Sequence, residues 1–216
     1  MSAPPLSGSL GSLLLHDADI GLPLDADAGA DHLDLHDAAL LEPDAPAELA
    51  RLRTRGYVGG AARSWAGPDR SVVQITLHRF RSSTDAQFSL DDLRSALIAA
   101  TASERVFADG VVMTISAEAM CGAVGGLGAA PALVAHAALT RRADVAVMVV
   151  TTGEAGGLCD RNGAFAQDLA ILQRARLAPE RGGSGEAPDG KHGQRRSNAG
   201  HDGKRCTVQS GPNGPD

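Results

Sequence analysis

The stretch Tyr57–Ala100, YVGGAARSWAGPDRSVVQITLHRFRSSTDAQFSLDDLRSALIAA, decides the fold. Tyr57 to Ala66 reads as a strand, weakened by Gly59-Gly60. Gly67-Pro68-Asp69-Arg70 is a turn, because Pro fixes φ and Asp bonds its own backbone. In Val72 to Phe80, Val73, Ile75 and Leu77 share one face and Gln74, Thr76 and His78 the other. That period-2 alternation predicts a strand buried on one face. Thr84 with Gln87 has capping-box spacing, and Ser89 with Asp92 offers a later start. Ala86, Leu90, Leu93, Leu97 and Ala100 recur at helical spacing, so a helix over 86–100 is expected to lay Leu93 on the core.

Working outward, Pro46 and Glu48 suit a short helix from Ala45 to Arg55, with Gly56 as its stop. Val111 to Ser116 reads as a strand, and Glu118 to Ala130 as a Gly-rich loop. Leu133 to Leu139 and Val145 to Val150 read as strands joined by a turn at 141–144. Val145 to Val150 is apolar on both faces, as a central strand is. Ala164 to Leu177 reads as a helix with Phe165, Leu169 and Leu172 on one stripe and Asp160 or Asn162 as cap. The order β-β-α-β-β-β-α predicts an α+β fold: a largely antiparallel sheet of about five strands with two main helices packed on one face.

Composition divides the chain into three. Residues 1–44 form an acidic, partly ordered segment, in which Leu13-Leu14-Leu15 and Leu40-Leu41 are apolar spots able to dock on the core. No Lys or Arg occurs before Arg51. Residues 45–177 form the α+β domain. Residues 178–216, with nine Gly and four Pro, lack the apolar surface to offset an ordering cost of roughly 1–2 kcal/mol per residue and read as a disordered tail.

The net charge of −6 argues against a nucleic-acid partner, which needs a basic face to displace counterions. Arg195-Arg196 and Lys204-Arg205 leave only a weak tail contact to a polyanion. There is no apolar run of about 18 residues, so no membrane span is expected. Nor is there a basic n-region before an apolar run, so the chain as written reads as cytoplasmic.

Chemical signatures are few, and the sequence yields no catalytic, cofactor-binding or metal residue. Asp31-His32-Leu33-Asp34-Leu35-His36-Asp37 is the sharpest candidate. On a helix, His32 and His36 would share a face and Asp side chains would complete a divalent site. The alternative is a solvated acidic segment. Asp25-x-Asp27-x-Gly29 resembles the opening of a calcium loop, but His36 falls where the bidentate Glu belongs. Gly122, Gly125, Gly126 and Gly128 lack the Gly-Lys-Ser/Thr of a phosphate loop. His78 and His136 lie on strands, either flanking a ligand on an open sheet face or as plain surface residues. Trp65 and Tyr57 are expected to cover the sheet edge. Cys121 and Cys159 flank the 132–152 hairpin, whose geometry brings its flanking loops to one end. They pair if the chain reaches an oxidising compartment and stay free thiols otherwise, with Cys206 the odd one.

Several short motifs together resemble a known group. They are Gly56-Tyr57-Val58-Gly59-Gly60, Arg63-Ser64-Trp65, Val73-Gln74-Ile75-Thr76-Leu77, Arg79-Phe80-Arg81-Ser82 with Ala86, Arg141-Arg142-Ala143-Asp144-Val145, and Gln167 to Leu177. Over residues 45–177 the chain resembles actinobacterial secreted proteins and lipoproteins of unknown function. It is distantly similar to the extracellular sensor domain of PknH-type kinases. The resemblance implies an α+β fold on the outer face of the membrane and carries no catalytic residues. The chain departs from the group in having no signal peptide and no lipid-accepting Cys near its start. The expected function is a non-enzymatic binding or accessory domain. The alternatives are a small metal-dependent enzyme using residues 31–37 and a structural domain that forms a homodimer through its open sheet face.

Overall fold

Alternating Val73, Ile75 and Leu77 do form the centre of a sheet, but the sheet is larger than the sequence implies. The computed structural model describes residues 9–21, 25–42, 44–67, 71–115, 133–154 and 163–178. Its strands are β1 (Asp25–Leu33), β2 (Tyr57–Ala66), β3 (Val72–Phe80), β4 (Thr101–Phe107), β5 (Gly110–Ile115), β6 (Leu133–Arg142) and β7 (Val145–Glu154). The helices are α1 (Asp17–Ile20), α2 (Leu35–Ala39), α3 (Ala45–Thr54), α4 (Ser83–Leu97) and α5 (Ala164–Arg176). The strands run in the order β1-β2-β3-β7-β6-β5-β4, each antiparallel to its neighbours. The fold is α+β, with seven strands where about five were expected.

The two unanticipated strands are the two edges. β1, DADAGADHL, is made of residues that disfavour strands, and it is held by pairing to β2 with two register shifts. β4 follows α4 through a short 3-10 turn, Ile98–Ala100, with no Gly or Pro to announce it. Ala102, Ser103, Arg105 and Val106 on β4 are exposed, so it carries little of the apolar alternation that marks a buried strand.

The helices also divide differently. Val73, Ile75, Leu77, Val147 and Val149 on one face pack against Ala166, Leu169, Ala170 and Leu177 of α5 and against Leu10, Leu14 and Leu15. On the other face, Phe80, Val111, Met113, Leu139 and Ala146 meet Ala86 and Leu90 of α4, Leu52 of α3 and Ala38 of α2. The expectation of helices on one face is therefore corrected to a three-layer arrangement. β3 can serve both cores because its polar face, Thr76 and His78, is also buried. The open face expected to carry a homodimer is covered over the central strands.

Helix details shift accordingly. α4 starts earlier than either expected cap: Ser82 Oγ accepts from the Asp85 N–H at 3.0 Å. Leu93 and Leu97 are only half-buried. α5 is capped at Gly163, which takes φ 72°. Its buried stripe is Ala166, Leu169, Ala170 and Gln173, while Leu172 is exposed. Asp160, Asn162, the Gly-rich loop, all three cysteines and residues 179–216 lie outside the described residues. The β6–β7 hairpin does bring Leu133 opposite Glu154, at the end where the chain leaves for Cys121 and Cys159.

The acidic N-terminal segment is part of the same body. Buried Gln173 on α5 accepts from the Leu15 N–H at 3.0 Å and donates to the Leu13 carbonyl at 2.7 Å. Trp65 is fully buried beneath this segment rather than at the sheet edge, and its indole N–H donates to Asp17 Oδ1 at 2.8 Å. Leu14 and Leu15 dock as expected, whereas Leu40 and Leu41 are exposed. Among the described residues no helix is long and apolar enough to cross a membrane.

Candidate functional site

The sequence-level metal candidate does not assemble. His32 ends a strand and His36 begins a helix, so the two never share a helical face. Asp34 is spent as the N-cap of α2, accepting from the His36 and Asp37 N–H groups at 2.7 and 2.9 Å. Those backbone donors hold its carboxyl below the usual range. Among the described residues no three His, Cys, Asp or Glu side chains are grouped as a metal would need. Asp25 and Gly29 lie on β1, not in a calcium loop.

His78 and His136 are both buried, not surface residues. They cannot flank one ligand. His78 shares the α4 face with Thr76. His136 shares the α5 face with Ala138, two residues along β6. Each histidine marks a different site.

On the α4 face a polar chamber is enclosed by α3, α4 and the sheet. Its lining includes Glu42, Arg51, Thr76, His78, Ser89 and Met148, around a cavity of about 10 Å³. α3 begins at Asp44, whose carboxylate accepts from the Ala47 N–H, and this start points Glu48 and Arg51 inward. Arg51 Nε donates to Glu48 at 2.6 Å, and its Nη1 donates to the Ser89 carbonyl at 2.9 Å and to Ser89 Oγ at 2.6 Å. A second Arg51–Glu48 bond through Nη2 makes the pair bidentate. Arg51 thus ties α3 to α4.

Deeper in the chamber, the rings of Tyr57, His78 and Phe80 meet edge to face, with Tyr57 and His78 centroids 5.3 Å apart. Gly60 makes this possible: a Cβ there would fall 2.6 Å from both the Leu77 carbonyl oxygen and the Tyr57 hydroxyl. That hydroxyl donates to the Leu33 carbonyl at 3.0 Å. Burial pushes its pKa up. Burial, and secondarily the Arg51 charge, pushes His78 down to about 3, so its ring is neutral. His78 Nε2 is buried without a hydrogen-bond partner. Glu42 is pushed up to about 7, first by burial, then by the neighbouring Glu48 carboxylate, with Arg51 opposing.

On the α5 face the site is open. A cleft of about 510 Å³ is lined by Ser103, Glu104, Arg105, Val112, Thr114, Val134 and His136. Register explains the convergence: Ser103 lies opposite Thr114, Arg105 opposite Val112, and Thr114 opposite His136. These residues form a diagonal across β4, β5 and β6, beside the start of α5. The Thr114 hydroxyl and His136 Nδ1 are 3.2 Å apart. A Cβ at Gly163 would come within 2.8 Å of Val112, so the glycine lets α5 begin close against this floor. Glu104 turns to the opposite face, where Arg94 Nε donates to it at 3.0 Å. That leaves Arg105 as the cleft's exposed cation.

No known protein family matches the sequence, and no curated protein does. Among solved structures, the chain is similar to the extracellular domain of PknH from Mycobacterium tuberculosis, with a TM-score of 0.57. The two share a fold. Identity is 10%, over 80% of this chain and 97% of that one. At that identity the likeness speaks for architecture alone, and it supports the distant fold resemblance seen in the sequence. Neither the cleft nor the chamber was read from the sequence. Their residues come from strands and helices far apart in the chain, and of them only His78 and His136 were read as ligand-flanking candidates, with Tyr57 expected at the sheet edge.

Proposed function

We propose that this chain is a non-enzymatic binding domain of the envelope-protein type, and that its ligand enters the cleft on the α5 face. The observation that carries this reading is the cleft itself. Its volume lies in the range of small-molecule sites, and it combines an apolar floor, Val112 and Val134, with a few convergent polar groups. Arg105 supplies a cation, His136 a ring nitrogen system, and Ser103 and Thr114 hydroxyls. That set suits a small ligand carrying an anionic group. The fold shared with the extracellular domain of PknH is an architecture compatible with a non-catalytic binding domain.

The test is an NMR titration of amide shifts with a panel of small carboxylates, phosphates and neutral sugars. Anionic members should perturb β4, β5 and β6, and Arg105→Ala should weaken their binding at least about ten-fold. Shifts confined to other parts of the sheet, or an unchanged affinity in Arg105→Ala, would remove the cleft from this account.

A further inference from the structure

We propose that Glu42 is a proton-operated latch over the polar chamber: protonated, it lies against Glu48 and Arg51 and keeps the chamber closed; ionised, it leaves and opens the chamber to water. Three observations carry this. First, Glu42 lies just after α2 and outside both helices, so its side chain can withdraw while its backbone N–H stays bonded to the Ala39 carbonyl. Second, Arg51 is already committed to Glu48 and Ser89, and the Glu42 carboxyl has no hydrogen bond or ion pair among the described residues, only its backbone N–H being bonded, to the Ala39 carbonyl at 3.2 Å. A half-buried carboxylate beside another carboxylate, without a cation of its own, is unfavourable when ionised. Third, the chamber is built to receive something small and polar. It is about the size of one water molecule, and His78 Nε2 lines it with no partner.

The groups facing Glu42 are few. α3 presents Glu48 and Arg51, and β3 presents His78 and Thr76. α4 presents Ser89, Leu90 and Leu93, and β7 presents Ala146 and Met148. Of these, Arg51 bonds Glu48 through two guanidinium nitrogens, and His78 stays neutral. Burial and the neighbouring Glu48 raise the Glu42 pKa to about 7, so Glu42 changes charge near neutrality. Opening would present the Arg51 guanidinium, the Ser89 and Thr76 hydroxyls and the His78 ring to solvent.

The chamber's state can be read at His78 with diethyl pyrocarbonate, which acylates neutral imidazole, using the full chain and mass spectrometry. The rate of His78 labelling in the natural protein is divided by that in Glu42→Gln, so that the reagent's own pH behaviour cancels. The ratio should be near one at about pH 5.5 and rise roughly ten-fold by about pH 8, as a two-state equilibrium displaced by one proton requires. A ratio that does not change between the two overturns the latch. Should Glu42→Gln fail to fold, ¹³C NMR of the glutamate carboxyls in the natural protein decides. Titration of Glu42 in step with His78 labelling supports the latch, and titration in the ordinary carboxylate range sinks it.

Discussion

The two faces of the sheet solve the same problem in opposite ways. Under α5 the protein buries a broad apolar layer with a few polar members, Gln173 and His136 among them, and seals it with the N-terminal segment, while an open cleft lies over β4 to β6. Under α4 it buries charge and rings together, with Arg51 bridging two helices above a neutral histidine. Apolar burial is non-directional and tolerant, whereas a buried polar cluster is costly wherever one member lacks a partner. The α5 face should therefore dominate stability, and the α4 face should dominate its dependence on conditions.

The sharpest break of that comparison is Trp65→Ala. Emptying the volume beneath the N-terminal segment should cost about 3–5 kcal/mol, read from chemical denaturation. A cost under about 1 kcal/mol would mean that the segment collapses freely and does not seal the face. Gly60→Ala probes the other side. Its Cβ would strike the Leu77 carbonyl, and an expected loss of about 1–3 kcal/mol should come with altered Tyr57 and His78 ring shifts. Gln173→Ala removes both hydrogen bonds that strap residues 13–15 to α5. It should cost about 1–2 kcal/mol and raise hydrogen exchange in residues 10–20 selectively.

The pH dependence separates the faces further. Glu42 has a folded pKa above its unfolded value, so the fold takes up a proton as pH falls through about 7, and stability rises on acidification. His78 has a folded pKa far below its unfolded value, so the unfolded chain takes up the proton, and stability falls once pH drops below about 6.5. The two slopes oppose each other between about pH 6.5 and 4.5, the unfolded value of a glutamate. The natural protein should thus be nearly flat over that interval and lose stability below it. Glu42→Gln should lose roughly 2 kcal/mol across the same interval, and His78→Phe should gain about as much. Parallel curves for all three proteins would show that the chamber is not the source. The smallest effect belongs to Leu93→Ala. Half-buried at the margin of the α4 core, it should cost about 1 kcal/mol, well below a full core position.

The central hairpin, the central strand β7 and the two long helices were legible in the sequence, because each is defined by the spacing of apolar side chains within one segment. Val73, Ile75 and Leu77 announce a strand wherever they sit. The edges were not legible, because β1 and β4 owe their form to backbone bonds with a neighbour, and backbone groups leave no trace in side-chain spacing. The histidine sites were half visible. Their positions on strands could be read, but His78 and His136 looked exposed because polarity normally marks the solvent face.

What the sequence determined by itself is the α+β class and the local form of its longer elements, since propensity, turn chemistry and periodicity are properties of contiguous residues. Tertiary structure alone decided that helices cover both faces, that an acidic N-terminal segment seals Trp65 into the core, and that Glu42, Arg51, His78 and Ser89 share one chamber. Those outcomes depend on which surfaces meet after the chain has folded back on itself, and residues dozens of positions apart carry no mutual signal until they do.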